Sequence, residues 1–363
     1  MSDLVVGLMS GTSLDGVDAA LVNFAGVNPD ALSTAYVAYP PDLREQLLQL
    51  HNPGPDDLHE SALLANRLAT LYAQITLSLL DNAGKTAEQV RAIGCHGQTI
   101  RHVPKHGYTL QLNNPALLAE LTGITVVADF RSRDIAAGGQ GAPLVPAFHS
   151  ALFRDDRRHR VILNLGGIAN LTVLAPGKST FGFDCGPGNM LLDAWAQLHI
   201  GTEFDEGGHW AATGTVQSDL LARLLDDEFF SLPPPKSCGR EQFNPVWLRG
   251  FLSGKESAAD VQATLLALTV SAIRQAILRW CGVAEEIYVC GGGVRNSVMI
   301  GQISAALPTA TVLTTDVLGQ PADWVEAVAF AWLAHRTLAG LPGNLPEVTG
   351  ARGLRVLGAI YPA

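Results

Sequence analysis

The chain has 363 residues, 47% of them hydrophobic and 16% charged, more than one ordinary core holds, so two domains are expected. A formal net charge of −10 argues against nucleic acid or an anionic membrane as the main partner, but not against a nucleotide, whose phosphates backbone amides and Mg2+ can hold on an acidic protein. The five cysteines (Cys95, Cys185, Cys238, Cys281 and Cys290) stand singly with no CxxC pair, which points to a reducing compartment.

In chain order, apolar runs predict strands over 4–10, 16–24 and 32–38, followed by helices over 40–50 and 58–84. The opening MSDLVVGL has no basic region before its short apolar run, so no signal peptide is expected there. Strands follow at AIGCHG and YTLQL, then a short helix in NPALLAELTG, punctuated by Asn114 as N-cap, Pro115 at its first position and Gly123 beyond its end. After the strand ITVVADF, the glycine-rich AAGGQGAP (136–143) is the best linker candidate. Then RVILNLGGIANLTVLAP repeats the opening theme of strand, Gly/Asn turn and strand. Beyond it come TFGFDCGPGN, helices near 188–199, 216–230 and 258–281, the strands EIYVCGGGVRN and ATVLTT, and a last helix in PADWVEAVAFAWLAHRTLAG. No uninterrupted apolar stretch reaches the roughly 18 residues of a membrane span. The expectation is a duplicated α/β unit.

Three glycine-rich turns follow apolar strands. Glycine lets a backbone approach an anion closely, and hydroxyl side chains add donors. SGTSLDG (10–16) supplies Gly11, Thr12, Ser13 and Gly16; the alternative is an ordinary hairpin turn. Asp15 and Asp18 beside it would repel phosphate unless a cation intervenes, which points to Mg2+ held directly or through water. NLGGIANLT (164–172) brings Asn164, Gly166 and Gly167, and VCGGGVRN (289–296) brings Gly291, Gly292, Gly293 and Asn296, a backbone against which a flat purine can lie. TVLAPGKST is no P-loop, because Thr172 occupies the first glycine position. No G-x-G-x-x-G follows a strand, so a dinucleotide fold is not expected.

In GFDCGPGNMLLDAW, Asp184 closes a strand before a Gly-Pro-Gly turn and suits a general base. GCHGQTIRH places His96, Gln98, Arg101 and His102 about a strand end, and ADFRSRD adds Asp129, Arg131, Arg133 and Asp134. Together they suggest a pocket for a polyhydroxylated, anionic ligand. Glu326 sits in an otherwise apolar helix and is either buried with a partner or facing that pocket.

These segments, with GGQGAPLVP and EAVAFAWLA, closely resemble those of the anhydro-N-acetylmuramic acid kinases from Val6 to the closing LGAIYPA, and more broadly the actin and sugar-kinase superfamily. Cys185 stands where many members have Thr. The resemblance implies two ribonuclease-H-like domains of the actin/hexokinase-like ATPase fold flanking a central cleft, one spanning 1–134 with 340–363 and the other 135–339. It implies a cytoplasmic homodimer that uses ATP and Mg2+ to open 1,6-anhydro-N-acetylmuramic acid and phosphorylate O6 in peptidoglycan recycling, with neither nucleic acid nor membrane as partner.

On that resemblance Asp184 is the catalytic base. Gly11, Thr12, Ser13, Leu14, Asp15, Gly16, Val17 and Asp18, with Asn164, Gly166, Gly167, Gly291–Gly293 and Asn296, take the nucleotide, and Asp15 and Asp18 the metal. His96, Gln98, Asp129, Arg131, Arg133 and Glu326 take the sugar. The alternatives are a conventional sugar kinase acting on a free hydroxyl, an actin-like filament protein, and a glycosidase pairing Asp184 with Glu326.

Overall fold

The computed structural model describes residues 3–363 apart from Thr12, Pro53 and Glu241. Its strands are β1 (Leu4–Ser10), β2 (Gly16–Asn23), β3 (Asp30–Ala38), β4 (Val90–Val103), β5 (Tyr108–Leu112), β6 (Val126–Ala128), β7 (Arg160–Leu165), β8 (Ile168–Leu174), β9 (Phe181–Pro187), β10 (Glu286–Cys290), β11 (Thr311–Thr314) and β12 (Ala359–Tyr361). Two compact units form: Met1–Leu152 together with Gly319–Ala363, and Phe153–Leu318. The boundaries expected at 134/135 and 339/340 both lie within the first of these.

In the first unit the sheet runs β12-β6-β4-β1-β2-β3, with β5 on the extension of β4. β1, β2 and β3 form an antiparallel meander, and β4 and β6 run parallel to β1. In the second unit the order is β11-β10-β7-β8-β9, with β7, β8 and β9 as the meander and β10 and β11 parallel to β7. The expected repeat is thus a repeat of strand order and direction.

β1 and β7 read as unbroken apolar runs because helices cover their sheets. In the first unit the helix Asp57–Asn82 buries Leu64, Leu68, Tyr72, Ile75 and Leu79, one stripe at helical spacing. The helix Val325–Leu338 packs on β1 and β4. Its approach is so close that a Cβ at Gly7 would lie 2.7 Å from Ala331 N and closer still to the Ala327 carbonyl, and one at Gly94 would lie 2.9 Å from Ala334 Cβ and closer to the Phe330 carbonyl. Glycine at these two strand positions seats the helix, and the helix start carries Glu326.

Several expectations change. AIGCHG is the start of a 14-residue strand that runs on to pair with β5. The stretch 136–143 is pinned inside the first unit: Gln140 N donates to Thr349 O and Arg352 N to Ala137 O, so its glycines close turns. The helix expected over 216–230 is two, Ser218–Leu225 and Glu228–Ser231, because the Asp227 carboxylate accepts from Phe229 N and caps a new start. Ala258–Cys281 is long and apolar enough to cross a membrane, but 78% of its apolar window is buried within the fold, as in a core helix.

Candidate functional site

The first unit's loop between β1 and β2 is tied down from several sides. Asp15 Oδ1 accepts from Ser13 Oγ (2.5 Å) and Gly16 N (3.0 Å), and Asp15 O accepts from Tyr39 N (2.9 Å) and Tyr36 OH (3.0 Å). Gln98 Nε2 donates to Gly11 O at 3.0 Å while its Oε1 accepts from Tyr39 OH at 3.1 Å. Ser10 Oγ meets Tyr72 OH at 3.0 Å, and burial pushes the Tyr39 phenol up to about 12. Leu14 is buried at a φ of 56°, a left-handed conformation uncommon for a bulky residue. Val17 faces the core; Asp18, half-buried, lies in register between Met9 and Tyr36. Thr12 lies outside the described residues.

At the neighbouring strand ends, Arg131 is held on both sides. Its Nε and one terminal nitrogen donate to His96 Nε2 (3.1 and 2.9 Å), and the other donates to Gly141 O (2.8 Å). His96 Nδ1 lies 3.2 Å from Ser10 O, an acceptor, so Nδ1 carries the proton and Nε2 the lone pair. Burial, then the Arg131 charge, holds the His96 imidazole well below its ordinary value, so the ring is a neutral link between the guanidinium and the start of the glycine loop. Burial pulls Arg131 itself down to about 10, opposed by Glu326. Glu326 is raised by burial, against the pull of Arg131 and with a smaller push from Asp15, so these three charges share one region.

Asp129 is exposed at a φ of 58°, and Arg133 is exposed. Arg101 turns away to Leu50 O and Ile100 O, and His102 Nδ1 meets Thr109 Oγ1. Asp134, fully buried, accepts from Asn344 Nδ2 (2.7 Å), Thr349 Oγ1 (2.8 Å) and Gly141 N (2.8 Å), and so steadies the turn whose carbonyl holds Arg131. Tyr39, Tyr72 and this role of Asp134 are invisible in local spacing, since their partners lie tens to hundreds of residues away.

In the second unit, Asn164, Asn170 and Asp184 occupy one row across β7, β8 and β9, so their side chains share a face. Gly166 O and Gly167 O accept from Asn189 N and Gly188 N at 2.9 Å each, locking the turn against the start of the helix Met190–Ile200. Gly291 has a φ of 85°, and a Cβ there or at Gly293 would press within 2.9 Å of Leu165 O; nothing stands near Gly292. Asn296 Oδ1 caps the helix Ser297–Ala306 by accepting from Met299 N. Asp184 N donates to Lys236 O (3.1 Å), and Asp184 Oδ2 accepts from Cys238 N (3.0 Å). Among the described residues no group of three or more His, Cys, Asp or Glu side chains forms a metal-binding cluster.

Residues 3–363 match the family described as anhydro-N-acetylmuramic acid kinase. The chain belongs to that family. Anhydro-N-acetylmuramic acid kinases from Nitrosospira multiformis and Nitrosomonas europaea are 59% and 53% identical to it over 360 residues, covering 99% of this chain and 98% and 99% of theirs. Component A of the (R)-2-hydroxyglutaryl-CoA dehydratase of Acidaminococcus fermentans is similar in fold, with a TM-score of 0.50 at 12% identity over 93% of this chain and 100% of that one. With the shared strand order of the two sheets, this places the kinase-family chain in the actin/hexokinase-like ATPase fold, built from two ribonuclease-H-like units.

Proposed function

We propose that this chain is the kinase that opens 1,6-anhydro-N-acetylmuramic acid with water and transfers the γ-phosphoryl of ATP to O6, giving N-acetylmuramic acid 6-phosphate and ADP in cell-wall recycling. The observation that carries this reading is the family match over residues 3–363. A cytoplasmic homodimer is part of the proposal.

Asp184 takes a proton from the water that attacks C1. Its half-buried carboxylate, hydrogen-bonded by a main-chain amide, suits an ionised base. The water oxygen bonds C1 as the C1–O6 bond breaks, and its electron pair stays on O6. O6 bonds the γ-phosphorus, and the bond from phosphorus to the bridging oxygen breaks toward ADP. This resembles the base half of an inverting glycosidase, with phosphorus in place of the general acid.

Amides of Gly11–Ser13 and of Gly166 and Gly167 meet the phosphates, and Gly291–Gly293 with Asn296 meet the adenosine. Leu14 and Val17 hold the first loop against its own core. Mg2+ carried in with ATP would supply positive charge to offset that of the transferring group, and needs only one or two protein carboxylates. Asp15, oriented by Ser13 and Gly16, and Asp18 would be the carboxylates that hold it. Of the two arginines, Arg131 is the one for the lactyl carboxylate. Three of its five N–H donors are engaged by His96 and Gly141, which leaves one N–H on each terminal nitrogen for a carboxylate. Glu326, Asp129, Arg133, His96 and Gln98 line or support the sugar site, the last two by fixing Arg131 and the Gly11 loop.

ADP release with the anhydro sugar and with open-chain N-acetylmuramic acid tests the proposal, run in ¹⁸O-water. The expected result is turnover of the anhydro sugar with the label at C1. Turnover of the open sugar alone, or product without label at C1, overturns it in favour of a conventional kinase.

A further inference from the structure

The segment Lys236–Cys238 lies about fifty residues beyond Asp184 in sequence, yet the main chain of one grips the other at two points. Asp184 N donates to Lys236 O at 3.1 Å, and Cys238 N donates to Asp184 Oδ2 at 3.0 Å. Asp184 is the middle residue of β9, not the strand's last residue as its sequence context suggests, so the first bond fixes the backbone in mid-strand and the second fixes the carboxylate plane. Lys236 in turn anchors the segment: its Nζ donates to Phe229 O at 2.8 Å and sits 4.4 Å from the centre of the Phe229 ring. Phe229 is 2% exposed and packs edge-on against Phe230 and Phe243, so the anchor point is part of the core.

We propose that Lys236–Cys238 is the positioning element of the reaction's base. The Cys238 amide holds Asp184 in its attacking orientation and keeps it ionised, and the Lys236 staple to Phe229 keeps that amide in place. The inference rests on the reading of Asp184 as the base. An amide donating to a carboxylate favours its charged form, so losing the bond raises the carboxyl's ionisation midpoint.

Lys236 and Cys238 face Asp184 from this segment. Cys185 follows it on β9, with its thiol pushed well up by burial and by the neighbouring Cys281 and Asp184 charges. Burial lowers Lys236, against the attraction of the surrounding thiols and Asp184, with Arg279 beyond it adding to the lowering.

The test is the pH dependence of kcat in four variants of the full chain: Cys238→Pro, which deletes the Cys238 amide donor; Lys236→Met, which removes the staple; Lys236→Arg, which restores a cation at Phe229; and Asp184→Asn. The expected outcome is that Cys238→Pro and Lys236→Met lower kcat about tenfold or more and move its acid limb up by about one pH unit, leave the KM for ATP unchanged, and that Lys236→Arg recovers most of both. A segment that merely helps folding would reduce the active fraction without moving the limb, and that result overturns the proposal. Because Cys238→Pro risks misfolding, the Lys236 pair carries the test alone if that variant is insoluble. If Asp184→Asn is near-normal, the base reading fails with the proposal. If Asp184→Asn is inactive while the limb stays fixed in Lys236→Met, only the positioning role is lost.

Discussion

Replacing Gly7 by alanine tests how the first unit is built. The new Cβ would lie 2.7 Å from Ala331 N and closer to the Ala327 carbonyl, both backbone atoms of the helix Val325–Leu338, so no flexible side-chain end can swing aside. Real Cβ contacts essentially never fall under 3.0 Å, so the helix must lift from β1. Overpacking of this kind costs about 1–3 kcal/mol, and a backbone-to-backbone clash belongs at the upper end, about 3 kcal/mol. For a unit of roughly 200 residues that is about 6–12 °C in Tm. Differential scanning calorimetry of Gly7→Ala reads the shift, with Gly292→Ala, which meets nothing within 4 Å, as the control expected to unfold at the parent's temperature. Because Glu326 begins the displaced helix, kcat should fall in the fraction that remains folded. A Tm within 2 °C of the parent, at a resolution set by the roughly 2–4 °C per kcal/mol scale, refutes the close helix–sheet seating.

Arg131→Lys removes a fork but keeps the charge; the KM for the anhydro sugar should rise about tenfold or more while the KM for ATP holds, and a sugar lacking the lactyl carboxylate should not distinguish the two proteins in steady-state kinetics. Asp184→Asn should lower kcat by about 10²–10⁴-fold with ATP binding intact by calorimetry. Asp129→Gly relieves a left-handed φ at an exposed residue, so stability should stay within about 1 kcal/mol of the parent in urea unfolding while the KM for the sugar rises. Burial holds the His149 imidazole down at about 3, so the unfolded chain takes up this proton near pH 6.5 and the folded chain does not. Its contribution is therefore complete above that pH and fades as the pH falls, by about 2 kcal/mol at pH 5, and His149→Leu should flatten that part of a Tm-against-pH curve.

Local chemistry made much of the fold legible. The β1–β2 and β7–β8 pairs are each two apolar runs about a Gly-rich turn, and the helix Pro115–Thr122 carries its cap, its proline and its closing glycine in plain order. What local chemistry could not give is pairing at long range. β12 is three residues with an unremarkable pattern, a strand only because β6 offers it an edge. His96 and Gln98 stand out in GCHGQTIRH as polar groups that read as a strand end but lie inside β4, and their contacts with Arg131, Ser10, Gly11 and Tyr39 depend on register. Asp134 sits in a quoted motif, yet its partners Asn344 and Thr349 come from the far end of the chain. Nothing about PPPKSCGR announces that one of its amides meets Asp184.

The second unit is a single continuous span, residues 153–318, set inside the sequence of the first, which is completed only by residues 319–363. On the ribosome, domains ordinarily fold in the order they emerge. Here the later-starting half has all its strands in hand while the earlier one still lacks the helix that lies over Gly7 and Gly94 and the strand that closes its edge. The nascent first half must therefore wait, with β1 and β4 bare on one side, and the carboxylate of Glu326 arrives only after the whole second unit has been made.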